Sequence, residues 1–312
     1  MKTDELLREY GFDLETQKRA HGYQLAVLRM KAVRYAALAC LLLLFAAFGS
    51  GGLVRALGGG PASGWGLNAL YVLVFAIGLS IVDLPFDLWD YSIERRYGLS
   101  TQGPKSFFAD WLKSGAINLI ILIIAFPAIY LGFRDSNLWW VISWAIATGF
   151  IIFMGFISPI LLMPLFFKFE PLADAELVGR LKKLAERAGV KVLGVFKMKA
   201  AAKTRRATGA LTGIGATRRI ILSDTLLENY TPDEIETVIA HELGHHAHKD
   251  IWKGTFSFSA MAFVALLAVH LALPPLARAL GLGMGIETLP LFLTILGGIF
   301  AILKPLYNTI SR

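Results

Sequence analysis

The sequence predicts an all-α multi-pass membrane protein that carries a small α+β domain on its cytoplasmic side. Three observations carry this expectation: an apolar composition, six long runs without formal charge, and one polar stretch in which helix and strand patterns alternate. Hydrophobic residues make up 55% of the 312 and charged ones 17%, too apolar a balance for an ordinary soluble domain.

The runs 35–54, 56–82, 114–133, 136–167 and 254–277 contain no Asp, Glu, Lys or Arg; a shorter one, 288–303, extends toward 280 if Glu287 sits at an interface. A helix needs about 20 apolar residues to cross a hydrocarbon core. Six spans are therefore expected, near 34–54, 66–86, 114–133, 138–162, 255–277 and 282–304. Buried helices of a large soluble protein are the competing account, and so many uncharged runs disfavour it. The expected organisation is a membrane region of four spans over 1–162, including a polar, aromatic cytoplasmic loop at 87–113. A cytoplasmic domain over 163–254 and the last two spans over 255–312 complete it.

Charge sets the orientation. With the N-terminus in the cytoplasm, 28 of the 31 Lys and Arg fall in cytoplasmic segments, and Arg55, Arg134 and Arg278 fall one to each external loop. The positive-inside rule predicts such asymmetry. The net charge of +8 then reflects topology and contact with anionic lipid; no nucleic-acid motif accompanies it. Partners are accordingly expected to be the bilayer and a peptide or protein substrate. Cys40, the single cysteine, lies in the first span, forms no disulfide within the chain, and is expected to pack. The first 30 residues mix charges of both signs, unlike a cleavable signal peptide, so the first span is expected to direct insertion.

Residues 1–33 read as an amphipathic helix leading into that span, and 49–66 as a Gly-rich external loop around Pro61. Asp83 and Asp87 flank Pro85 at a membrane edge, either as ordinary interfacial charges or as part of a substrate-contacting loop. His270 lies inside the fifth span, where a neutral ring bonded to a neighbouring helix is expected. In the polar stretch, Asp174 to Gly189 has helical spacing and a glycine stop. Segments 191–198, 208–213 and 218–223 read as strands, the last two around the Gly213-Ile214-Gly215 turn. Thr231-Pro232-Asp233-Glu234 then supplies an N-cap, a proline at the first helical position and a capping-box Glu. Ile235, Val238 and Ile239 follow at helical spacing.

That helix carries His241-Glu242-Leu243-Gly244-His245. Residues four apart share a helical face, so both imidazoles can reach one ion. Histidine nitrogen suits Zn2+, and a catalytic zinc site keeps a position open for water, whose pKa it lowers to roughly 7. Glu242, beside the metal pair, is placed to take the water's proton and give it to a leaving amine. The reading is peptide hydrolysis, with His241 and His245 as metal ligands and Glu242 as general base and acid. Chance would produce such a motif in roughly one of a few hundred chains of this histidine content, and the helical context lowers that further. A free strand edge beside the motif helix could pair with an extended substrate backbone; a plain structural hairpin is the alternative.

Two histidines leave a zinc site short of a ligand. The metzincin continuation fails, because His248 and Ile251 stand where a glycine and a third histidine would be. His248 lies most of a turn beyond His245. Asp250 is expected on the far side of the helix end and Glu287 at the external end of the sixth span. None of the three is expected to complete the site.

The motif, preceded by Arg218-Arg219-Ile220-Ile221-Leu222-Ser223-Asp224-Thr225-Leu226-Leu227, resembles the CAAX prenyl protease 1 family of membrane zinc metallopeptidases. Leu84-Pro85-Phe86-Asp87-Leu88-Trp89-Asp90, Glu94-Arg95-Arg96-Tyr97-Gly98 and Gln102-Gly103-Pro104-Lys105 are similar to that family's first cytoplasmic loop. The resemblance implies a barrel of seven spans around a large chamber, and cleavage near the C-terminus of prenylated or similarly hydrophobic peptides. It also implies a third ligand, a Glu shortly after residues like Asn308-Thr309-Ile310-Ser311-Arg312, so the chain as given is expected to be truncated before it, to bind zinc weakly and to have little activity. The family's substrate-pairing strand carries Asn-Ala where this chain has Thr208-Gly209, followed by Ala210; Gly209 and Ala210 are the substrate contacts so implied. Two other functions stay open: a broad quality-control protease of membrane proteins, and an inactive membrane scaffold.

Overall fold

Among the described residues six helices are long and apolar enough to cross a membrane, one for each charge-poor run. The computed structural model of the chain describes residues 13–59, 64–135, 137–213 and 215–310, with backbone alone at 124–135, 216, 306 and 308–310. Ile214, Pro61 and the first twelve residues of the expected N-terminal helix lie outside the described residues. Asp13 starts α1 (Leu14–Leu44), its carboxylate accepting from the amides of Glu15 and Thr16. A π-helical turn (Phe45–Gly49) joins α1 to α2 (Ser50–Ala56). Then come α3 (Trp65–Arg96), α4 (Pro104–Asp135) and α5 (Trp139–Ile157). Beyond α5 a π-helical turn (Ser158–Leu162) leads into the short α6 (Met163–Phe166).

The helices outrun the apolar runs. Residues 87–96 continue α3 and 104–113 begin α4, so the loop expected over 87–113 contracts to 97–103. Formal charge marks where lipid ends; helix continues as long as propensity and packing favour it. Asp83 and Asp87 lie one turn apart across Pro85, and Arg34 of α1 pairs with both, at 2.9 Å from Asp87 Oδ1. These carboxylates join two helices.

The α+β domain follows. It contains β1 (Lys168–Pro171), α7 (Ala175–Arg187), β2 (Val195–Lys199), β3 (Gly209–Thr212), β4 (Arg219–Ser223), α8 (Asp224–Asn229) and α9 (Pro232–Ala247). Asp174 caps α7 by accepting from Leu177 N at 3.0 Å. Gly189 closes that helix at φ +70, a left-handed stop that glycine adopts without a Cβ penalty. The sheet order is β1-β2-β4-β3, with β2 and β4 parallel and the outer pairs antiparallel. β1 is unheralded in the sequence: Lys-Phe-Glu-Pro lacks apolar alternation, and Pro171 is tolerated because the strand is an edge. One layer of core lies between sheet and helices, built from Leu177, Leu181, Ile220, Leu222, Ile235 and Ile239.

The chain returns to the membrane through α10 (Asp250–Ala279) and α11 (Leu289–Ile310). Helix contacts close a ring in the order α1, α3, α4, α5, α10, α11 and back to α1. The ring is packed tightly at the end away from the sheet, where Tyr71, Val269, Leu273 and Ala277 are fully buried. Ser50 Oγ donates there to Glu287 O at 2.7 Å and meets the Tyr71 hydroxyl at 2.5 Å. His270 sits against the rings of Trp139 and Trp140 on the neighbouring α5, centroids 5.7 and 6.1 Å away. Cys40 is exposed on α1, contrary to its expected packing role. Large apolar side chains such as Leu28, Phe48, Ile81 and Leu271 are likewise exposed, which a chain in lipid tolerates.

Candidate active site

α9 begins with the capping box its sequence announces. Glu234 Oε2 accepts from Thr231 N at 2.8 Å, and Thr231 Oγ1 accepts from Glu234 N at 3.4 Å. Ile235, Ile239 and Leu243, one turn apart, are 2%, 0% and 2% exposed against the sheet. At 100° per residue, positions two further along point the other way, and His241 and His245 occupy them. The amphipathic pattern of the helix thus fixes which way the imidazoles face.

The rings of His241 and His245 lie 4.6 Å apart at 78°, with their Nε2 atoms separated by 3.1 Å. Two Zn–N bonds of about 2.05 Å at a tetrahedral angle span roughly 3.3 Å. The pair therefore fits a shared tetrahedral ion. Among the described residues no group of three or more His, Cys, Asp or Glu is arranged to hold a metal. Glu242 and His245 line a cleft of about 660 Å³, walled by Ile151 of α5, Leu211 of β3, Phe258 of α10 and Tyr307 of α11. His246 also reaches this cleft; burial, and behind it the charge of Arg218, holds its imidazole below the ordinary histidine value. His248 stands at the C-cap of α9, its backbone N–H donating to Gly244 O at 3.0 Å.

Asp250 is a correction to the sequence reading. The backbone turns sharply at Lys249, which returns Asp250 to within 2.9 Å of His245 Nδ1. The contact is to Nδ1 of the ring, whereas Nε2 of the same ring meets His241. The sequence hides this because neither Gly nor Pro marks the break. Glu287 lies at the opposite end of the ring, folded over Gly283 and Gly285.

β3 is the sheet edge beside α9. Ser223 N donates to Thr208 O at 2.9 Å, which fixes the hydrogen-bonded phase of the ladder. By alternation, the backbone groups of Gly209 and Leu211 then point to the open edge. The strand reaches the cleft at Leu211 and Gly213, downstream of the expected contacts Gly209 and Ala210. Gly209 has a packing role: a Cβ there would meet Val238 Cγ1 at 3.0 Å and Ile239 Cδ1 at 3.2 Å. Its lack of a side chain lets α9 lie close on the strand.

The segment leading into β3 is gripped from the membrane side. Thr101 N donates to Lys203 O at 3.1 Å and Arg205 N to Leu99 O at 2.9 Å. Lys203 Nζ reaches Asp110 Oδ2 at 2.5 Å and Phe166 O at 2.7 Å. Asp224 holds the same segment from inside the domain, its Oδ1 accepting from Ala200 N and Ala201 N at 2.9 Å each. A second tie is Arg219 of β4, which donates to Pro159 O in the π-turn at 2.9 Å. The loop motifs that stood out in the sequence thus hold the edge strand against the helix ring.

Comparison with known proteins agrees with this arrangement. A family model described as CAAX prenyl protease N-terminal, five membrane helices, matches residues 4–168, and one for peptidase family M48 matches 171–312. The chain is similar to an uncharacterized metalloprotease of Bacillus subtilis, YhfN, at 29% identity over 78% of this chain and 58% of the relative. It is also similar to a CAAX prenyl protease 1 homolog of Arabidopsis thaliana, at 31% identity over 70% of this chain and 51% of that protein. The chain thus spans little more than half the length of these relatives. The crystal structure of S. mikatae Ste24p shares the fold, with a TM-score of 0.80 at 21% identity, covering 96% of this chain and 76% of that one. With the two models together matching residues 4–168 and 171–312, the chain belongs to peptidase family M48 and carries the membrane region of the CAAX prenyl proteases.

Proposed function

We propose that this protein is a membrane-embedded zinc endopeptidase that cleaves hydrophobic peptides near their C-terminus, in the manner named for its CAAX prenyl protease relatives. The observation that carries the reading is the convergence of two imidazole nitrogens at 3.1 Å at the edge of a cleft that Glu242 and His245 line together with Leu211 of the edge strand. His241 and His245 would hold the metal through Nε2. When bound, zinc supplies Lewis acidity and a water made acidic enough to attack at neutral pH. Glu242 takes the proton of the attacking water and carries it to the departing amine. The Gly209 and Leu211 backbone aligns an extended substrate by strand addition. Ile151, Leu211 and Phe258 favour an apolar side chain or lipid group in the cleft.

Orientation follows the charge asymmetry: the N-terminus and the cleft face the cytoplasm, where basic segments remain. The test compares a farnesylated C-terminal peptide with its unmodified twin. Faster cleavage of the farnesylated form supports CAAX-type processing. Equal rates transfer the site to a broad quality-control role, which the same motif would also serve.

A further inference from the structure

Between α9 and α10 the backbone takes a course that no glycine or proline explains. Lys249 sits at φ 58, ψ 33, the sole non-glycine residue with positive φ among the described residues. A Cβ makes that region unfavourable, so such residues persist only where surrounding contacts hold them. On an uninterrupted helix, residues five apart lie about 140° from one another and cannot meet. The break changes this. Asp250 Oδ2 lies 2.9 Å from His245 Nδ1, while Asp250 Oδ1 accepts from Lys253 Nζ at 3.1 Å.

The two nitrogens of His245 are thereby divided between two tasks. Nδ1 faces a carboxylate, and Nε2 faces His241 Nε2. We propose that Asp250 is a positioning residue for the metal: it accepts the Nδ1–H of His245, keeps the Nε2 lone pair free, and fixes the rotation of the ring. The left-handed Lys249 is the device that delivers it. A carboxylate behind a ligating imidazole raises its basicity and restricts its tautomer. The inference rests on the zinc reading given above; an ordinary ion pair at a helix junction, with side chains 53% and 39% exposed, is what it displaces.

The test is metal binding by the purified full-length protein, stripped and then titrated with zinc against a chromophoric chelator, with cobalt absorption as a second readout. Asp250→Ala should weaken zinc about 10- to 100-fold and alter the cobalt bands, and Asp250→Glu should recover most of the loss. Unchanged affinity and spectrum in Asp250→Ala overturn the proposal. Two further variants act on the delivery and do not touch the carboxylate. Lys249→Gly adopts the left-handed turn freely and should keep zinc; Lys249→Val resists it and should lose affinity as Asp250→Ala does. Equal affinities in that pair overturn the proposal even if Asp250→Ala fails to fold. His245→Ala separates the two readings: if it binds zinc like the wild type, the zinc site itself is wrong and there is no ligand to position.

Discussion

On one face of α9, Ile235, Ile239 and Leu243 are at most 2% exposed, whereas on the other His245 keeps 53% of its side chain open to the cleft. The first face is judged by packing, where a single lost methylene is felt. The second is judged by donor geometry, and its polar rings cost little while they remain solvated. One sixteen-residue helix therefore separates stability from chemistry by rotation about its axis. Mutations on the two faces should fail in different assays.

The largest effect belongs to the open face. Glu242→Gln should lower peptide hydrolysis by about 10²- to 10⁴-fold while leaving the thermal midpoint close to wild type; loss of stability in parallel with activity would blur the division. Next comes the buried face. Leu243→Ala, one residue away, should cost about 2–5 kcal/mol through the cavity left in the core, read as a shift in denaturant midpoint. Gly209→Val probes the contact between strand and helix. Side-chain atoms 3.0–3.3 Å from the position of the new Cβ predict overpacking of about 1–3 kcal/mol. Intact stability there would contradict the close approach of α9 to β3.

The smallest effect is at the helix start. The backbone hydrogen bond from Thr231, and next its hydroxyl, hold the Glu234 carboxyl below its ordinary value. A carboxylate depressed in the folded state contributes stability above its unfolded pKa, and that contribution disappears as pH falls through the folded value. Glu234→Gln should therefore lower stability slightly at neutral pH, flatten the acid limb of the profile, and converge on wild type at low pH. An unaltered acid limb would show that the capping carboxylate is not coupled to folding.

Much of this division was legible before any coordinates. Apolar residues at 235, 239 and 243 alternate with histidines at 241 and 245, and helical period alone puts them on opposite faces. Uncharged runs located the six membrane helices for the same reason, since lipid tolerates few charges at any register. What stayed hidden depends on tertiary contact. β1 is held as an edge by β2, although Lys168 and Pro171 would not suggest a strand. The extent of α3 is set by continued backbone bonding past Asp87, which charge does not report. Asp250 was misplaced because the turn at Lys249 carries no residue that favours left-handed backbone. The packing role of Gly209 required knowing that Val238 and Ile239 press on it.

Metal content and peptide hydrolysis, measured together on full-length wild type, His241→Ala and His245→Ala, test the central claim most directly. One zinc per wild-type chain, with zinc and cleavage both lost in either variant at unchanged fold, is the predicted result. Either variant retaining its zinc and its hydrolysis would contradict a metal held between these two rings.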